Sequence, residues 1–188
     1  MKDANSVENN LIIHCAPTLA GIKCAGLFSI RFESQDLLKH ELAQLNTQLN
    51  VKGVFLKIML VKNSFALIYT YRKTHLEKEL ADERVQELLL SYGYPSENTD
   101  NLLEYLKERL YTCDGFPHEI GVFLGYPIGD VKGFIENKGR DCKCSGLWKV
   151  YCNEGETQKL FAKIRKCTKV YSEVFAKGRC ITQMTVCA

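Results

Sequence analysis

The chain has 188 residues, 46% of them hydrophobic, with 25 basic and 22 acidic side chains for a formal net charge of +3. A chain of this length can bury roughly 70% of its unfolded surface without covalent staples, so one ordinary domain is expected, and so small a charge does not demand an anionic polymer as partner. No apolar run approaches the ~20 residues that span a bilayer, and Met1 to Asn10 is polar, without the apolar centre of a secretory leader, so a cytoplasmic protein without membrane insertion is expected.

Residues 1–10 read as a flexible polar lead, and residues 11–188 as a single domain. Leu11 to Cys15 is short, apolar and partly β-branched, which suits a strand ended by Pro17. A loop or short helix follows. Leu37, Leu38, Leu42, Leu45 and Leu49 recur at helical spacing and predict an amphipathic helix over residues 35–49. Val54 to Val61 and Phe65 to Tyr71, parted by Lys62-Asn63-Ser64, predict a β-hairpin with apolar residues on both faces.

Residues 74–91 predict one helix, with Thr74 as N-cap and Glu77 three positions on. Gly93 ends it, Pro95 follows, and a helix holding Leu102, Leu103, Leu106 and Leu110 runs to about Tyr111. Gly93-Tyr94-Pro95 and Gly125-Tyr126-Pro127 are the same tripeptide and predict the same helix corner: glycine closes one helix in the left-handed conformation and proline opens the next. Gly139 to Gly146 reads as a polar turn, Leu147 to Cys152 as a strand, Glu156 to Phe175 as a helix ended by Gly178, and Ile181 to Val186 as a final strand. The fold class is therefore α+β: a largely antiparallel sheet of about four or five strands packed with several helices.

The chemistry-bearing residues form no complete metal, nucleotide or triad motif. Nine cysteines, an odd number behind no secretory signal, predict reduced thiols that serve mainly as packing atoms. Within them, His14-Cys15 is a candidate catalytic pair, because a histidine can hold a nearby thiol as thiolate. His118-Glu119 is a second candidate, set in the block Gly115 to Phe134, where glycine and proline interrupt an apolar run. Position 122 is Val122, so the pair lacks the second histidine of a zinc-protease helix. Glu119 has an ordinary explanation in a helix first turn, and His118 in a bond to a buried carbonyl. Cys142-x-Cys144, with Cys152 beyond it, offers soft metal ligands or a redox pair, but its spacing is not that of a zinc knuckle, and no bound metal is expected. The lysines of the 156–177 segment are diluted by Glu154, Glu156 and Glu173 and read as a solvated face, which argues against nucleic acid.

Three segments, Leu11 to Gly21, Gly115 to Phe134 and Cys144 to Tyr151, carry a resemblance. They are similar to the bacterial family called domain of unknown function 3793, over about Leu11 to Thr185. The resemblance implies an origin among mainly anaerobic Gram-positive bacteria and a link to iron or redox physiology. It implies no activity, catalytic residue or cofactor. Together these observations predict a binding or accessory module for a small molecule or protein partner. The alternative is a thiol-dependent enzyme or redox protein using Cys15 with His14 or His118.

Overall fold

In the computed structural model, which describes residues 6–95 and 98–187, Val7, Leu11, Ile12, Cys15 and Leu19 are buried while Ile13 and His14 are exposed. That is the stripe of a helix, and the segment expected to be a strand is helix α1 (Val7–Leu19). The Ser6 hydroxyl caps it, accepting from the Asn9 N–H at 3.2 Å. The last four residues of the expected polar lead therefore form its first turn, and residues 1–5 lie outside the described residues. The local β-branched pair Ile12-Ile13 suggested a strand, but the longer period across Val7 to Leu19 decides. Pro17 sits in the last turn of α1, and its carbonyl accepts from the N–H groups of Ile22 and Lys23.

The chain divides into two compact units: the part up to His75 together with the part from Lys166 onward, and the part from Leu76 to Arg165. The first unit holds a three-stranded antiparallel sheet of β1 (Ala25–Arg31), β2 (Val54–Lys62) and β3 (Phe65–Arg72), in the order β1-β3-β2. The hairpin stands where its sequence places it. β1 is an addition: Phe28 and Ile30 point inward and Ser29 and Arg31 outward, a short alternation inside a stretch expected to be loop or helix. Across the sheet Phe28, Ile68 and Ile58 are in register, as are Gly26, Thr70 and Leu56. This face packs into one apolar core with α1 and α2 (Gln35–Leu49). A side chain at Gly26 would lie 2.7 Å from the Cys15 Sγ, so glycine lets α1 approach the sheet.

Two polar devices complete this unit. Asn46 on α2 pairs with the free edge of β2: its amide donates to the Leu56 carbonyl at 2.9 Å and its oxygen accepts from the Leu56 N–H at 2.8 Å. Arg72, fully buried at the end of β3, donates to the carbonyls of Thr18 and Leu19, both at 2.6 Å, and of Val186 at 2.8 Å. Its guanidinium thus adds to the backbone bonds on the last carbonyls of α1, where a cation is favoured, and holds the C-terminal segment there.

The second unit contains most of α3 (Lys73–Leu80), then α4 (Glu83–Ser91), α5 (Thr99–Thr112), α6 (Ile120–Phe123), α7 (Ile128–Glu136) and the short strands β4 (Cys144–Ser145) and β5 (Lys149–Val150). The single helix expected over residues 74–91 is two, because Asp82 restarts it: its carboxylate accepts from the Arg84 N–H at 2.9 Å. Thr74 lies inside α3 and is not its cap.

The long helix α8 (Glu154–Ala176) runs from the second unit into the first. The final strand expected at 181–186 is the short helix α9 (Ile181–Met184) with an extended tail, the three residue spacing of buried Ile181 and Met184 matching a helix. Among the described residues, no helix is long and apolar enough to cross a membrane.

Candidate functional site: an aromatic cavity in the second unit

The site is built on the helix corner around Gly125. The Gly125 N–H bonds the Val122 carbonyl and the Tyr126 N–H reaches back to the Gly121 carbonyl, with Gly125 at φ 69°. These are the paired bonds of a left-handed helix stop. The first tripeptide makes the same pair, Gly93 to Leu90 and Tyr94 to Leu89, but its Pro95 does not open the next helix as expected: α5 starts at Thr99 and is capped by the Asn98 side chain, which accepts from the Asn101 N–H at 3.0 Å. Pro127 then caps α7, its carbonyl accepting from the N–H groups of Asp130 and Val131.

Asp130, the one acid in the first turn of α7, organises the rest. It is 2% exposed and accepts four bonds: from the Trp148 indole at 2.9 Å, the Tyr151 N–H at 2.8 Å, the Cys152 N–H at 2.9 Å and the Cys152 thiol at 3.1 Å. Burial opposes its charge, but the backbone donors of Cys152 and Tyr151, with the indole and the thiol, outweigh burial and hold the carboxyl below its usual range. One side chain on α7 thereby fixes the whole segment from Trp148 to Cys152. The two pack closely: a side chain at Gly133 would meet the Tyr151 ring at 2.5 Å.

So held, Trp148 stacks on Tyr126 with ring centres 4.6 Å apart and meets Phe161 edge-on at 4.5 Å. A cavity of about 330 Å³ opens beside it. Phe116, Leu124, Val131, Phe134 and Leu147 supply apolar walls, and His118 and Lys149 the polar groups besides Asp130. Phe116 and Leu147 are large apolar side chains that remain 49% and 43% exposed.

The structure separates the members of each candidate pair. His118 is exposed, lines the cavity and stands edge-on to Phe134 with ring centres 5.0 Å apart. Glu119 is 1% exposed and turned away, accepting from the Arg109 guanidinium and from the Tyr94 hydroxyl at 3.1 Å. It occupies the cap position of α6 without a side-chain cap bond, so an ion pair, and not the helix first turn, accounts for it. His14 and Cys15 lie in the first unit, on α1. Cys15 is fully buried and burial pushes its thiol up to about 12, whereas His14 is exposed, 6.0 Å from the Phe28 ring, and partial burial lowers its pKa.

Cys142 and Cys144 are half-buried in the turn and its first strand, and Cys152 spends its thiol proton on Asp130. Burial, and then that carboxylate, raise the Cys152 pKa. Among the described residues, no group of three or more histidine, cysteine or acidic side chains could hold a metal ion. Asp130, Trp148 and Lys149 are the site residues that sequence reasoning passed over. Their signals were a lone acid between Gly129 and Val131, and the only tryptophan of the chain.

Both segments that meet at the cavity, 115–134 and 144–151, fall inside residues 11–185, which match a protein family of unknown function, domain of unknown function 3793. The chain belongs to this family. No curated protein and no solved structure matches it.

Proposed function

We propose that this member of the family is a binding module that holds a small, largely apolar molecule in the cavity beside Trp148. The observation that carries this reading is the convergence of the glycine-rich segment 115–134 and the segment 144–151 on an aromatic-walled space of about 330 Å³. That volume is at the low end of ligand pockets, which span about 300–1,000 Å³ and are lined by apolar side chains with a few polar groups. Asp130 supports binding over catalysis, because its oxygens are already taken by four donors. The thiol-enzyme alternative has less support, since Cys15 is fully buried. The bacterial origin and the link to iron or redox physiology belong to the proposal through the family resemblance alone, and the cytoplasmic setting through the sequence composition alone.

Trp148 is the only tryptophan, so its fluorescence reports on this cavity without labelling. Titration with 2-naphthalenemethanol, a flat neutral probe, followed by isothermal calorimetry and Trp148 emission, is expected to give saturable binding of one molecule per chain. Phe134→Ala should weaken that binding about tenfold or more, the loss of one large buried aromatic contact. Absence of saturable binding, or equal affinity in a Phe134→Ala protein with unchanged circular dichroism, would overturn the proposal.

A further inference from the structure

The polar groups at the cavity are unequal in what they have left to offer. Asp130 is 2% exposed and its oxygens already accept from four neutral donors, so it has no acceptor site left to offer an occupant. Lys149 is different: an ammonium carries three N–H donors, and Lys149 gives one to the Gly139 carbonyl while lying 6.0 Å from the centre of the Phe134 ring. Among the described residues no carboxylate forms an ion pair with it. His118, the other open polar side chain, rests against the same Phe134 ring. Among the described residues that line it, the apolar cavity thus presents a cation with unspent donors, a histidine, and one carboxylate, Asp130, whose oxygens already hold four donors.

Resting on the binding reading above, we infer that the occupant is a small aromatic carboxylate: its ring lies among Phe134, Leu147 and Trp148, and its carboxylate takes the open donors of Lys149. The hydroxyl of a neutral molecule of the same shape can accept from Lys149, but without the attraction of opposite charges. A cationic one meets a like charge at the rim. A carboxylate forms a charge-assisted hydrogen bond there, about twice as strong as a neutral one.

The test compares three probes of one shape by isothermal calorimetry on the full chain at low salt: 2-naphthoate, 2-naphthalenemethanol and 2-naphthylmethylammonium. The acid is expected to bind about tenfold more tightly than the alcohol, a difference of about 1.4 kcal/mol, and the ammonium more weakly than the alcohol. Lys149→Met should bring acid and alcohol within about twofold of each other, and Lys149→Arg should keep the preference for the acid. Should Lys149→Met fail to fold, the wild-type probe ranking and the Arg variant carry the test. Equal binding of acid and alcohol by the wild type, or a preference that survives in Lys149→Met, would overturn the anion assignment and leave the cavity reading intact. If none of the three probes binds, both fall together.

Discussion

Asp130 is a charged residue kept inside the protein by its donors, and this makes it the most testable single position. Its folded-state pKa is depressed below the unfolded value of about 3.9. The sign follows: the ionised carboxylate contributes its full stability above that unfolded value, and loses it as pH falls through the lower folded one. Asp130→Asn turns an acceptor of four bonds into a group that can accept at only one of its two ends. A cost of about 2–3 kcal/mol at pH 7 is expected, from hydrogen bonds to a charged group and the donors left unpaired. Urea denaturation of both proteins from pH 7 down to pH 3 checks it, the gap between them narrowing below about pH 4. A gap independent of pH would mean that the charge of Asp130 contributes nothing.

Elements in this chain are bounded by a few capping residues, and the two Gly-Tyr-Pro tripeptides show how local chemistry sets a corner. Both close a helix with the same pair of backbone bonds, and their glycines sit at φ 79° and 69°. At Gly125 a Cβ would be held in the left-handed region, so Gly125→Ala should cost about 1–2 kcal/mol. It should also loosen the cavity, since Tyr126, the next residue, is the platform under Trp148. Thermal midpoints and the position of Trp148 emission check both effects, and an alanine variant as stable as wild type would show that the corner tolerates strain. Capping also explains the break in the helix expected over 74–91: Asp82 competes for the backbone at a point where apolar periodicity runs on unbroken.

Across the whole molecule none of the nine cysteines is joined in a disulfide, and they are graded by exposure. Cys15 and Cys24 are buried, five are half-buried, and Cys180 and Cys187 are exposed. Cys180 is further activated: the Thr182 hydroxyl, then the Gln183 N–H, hold its thiol below the usual value. Brief iodoacetamide labelling at neutral pH, mapped by mass spectrometry, should therefore modify Cys180 and Cys187 first and Cys15 and Cys24 only after denaturation. Native labelling of Cys15 would show that α1 opens from the sheet and would revive the thiol chemistry that its burial argues against.

What the sequence alone determined was whatever rests on local periodicity and backbone preference. The α2 leucine stripe, the β2–β3 hairpin, α8 and the glycine helix stops of both tripeptides could be read directly, and so could the α+β class, whereas Pro95 does not open α5 as Pro127 opens α7. Short apolar stretches were not legible in this way. Leu11 to Cys15 and Ile181 to Val186 look like strands over five or six residues, and only their burial on a core shows them to be helical. The site divides along the same line. Its glycine-rich frame was visible because glycine and proline act where they stand. Asp130, Trp148 and Lys149 were not, because their roles exist only across 18 to 22 residues of chain for the Asp130 bonds and 10 for the Lys149 bond to Gly139. The separation of His118 from Glu119 has a similar origin: neighbours in sequence were sent to solvent and to Arg109 by packing, which no spacing rule contains.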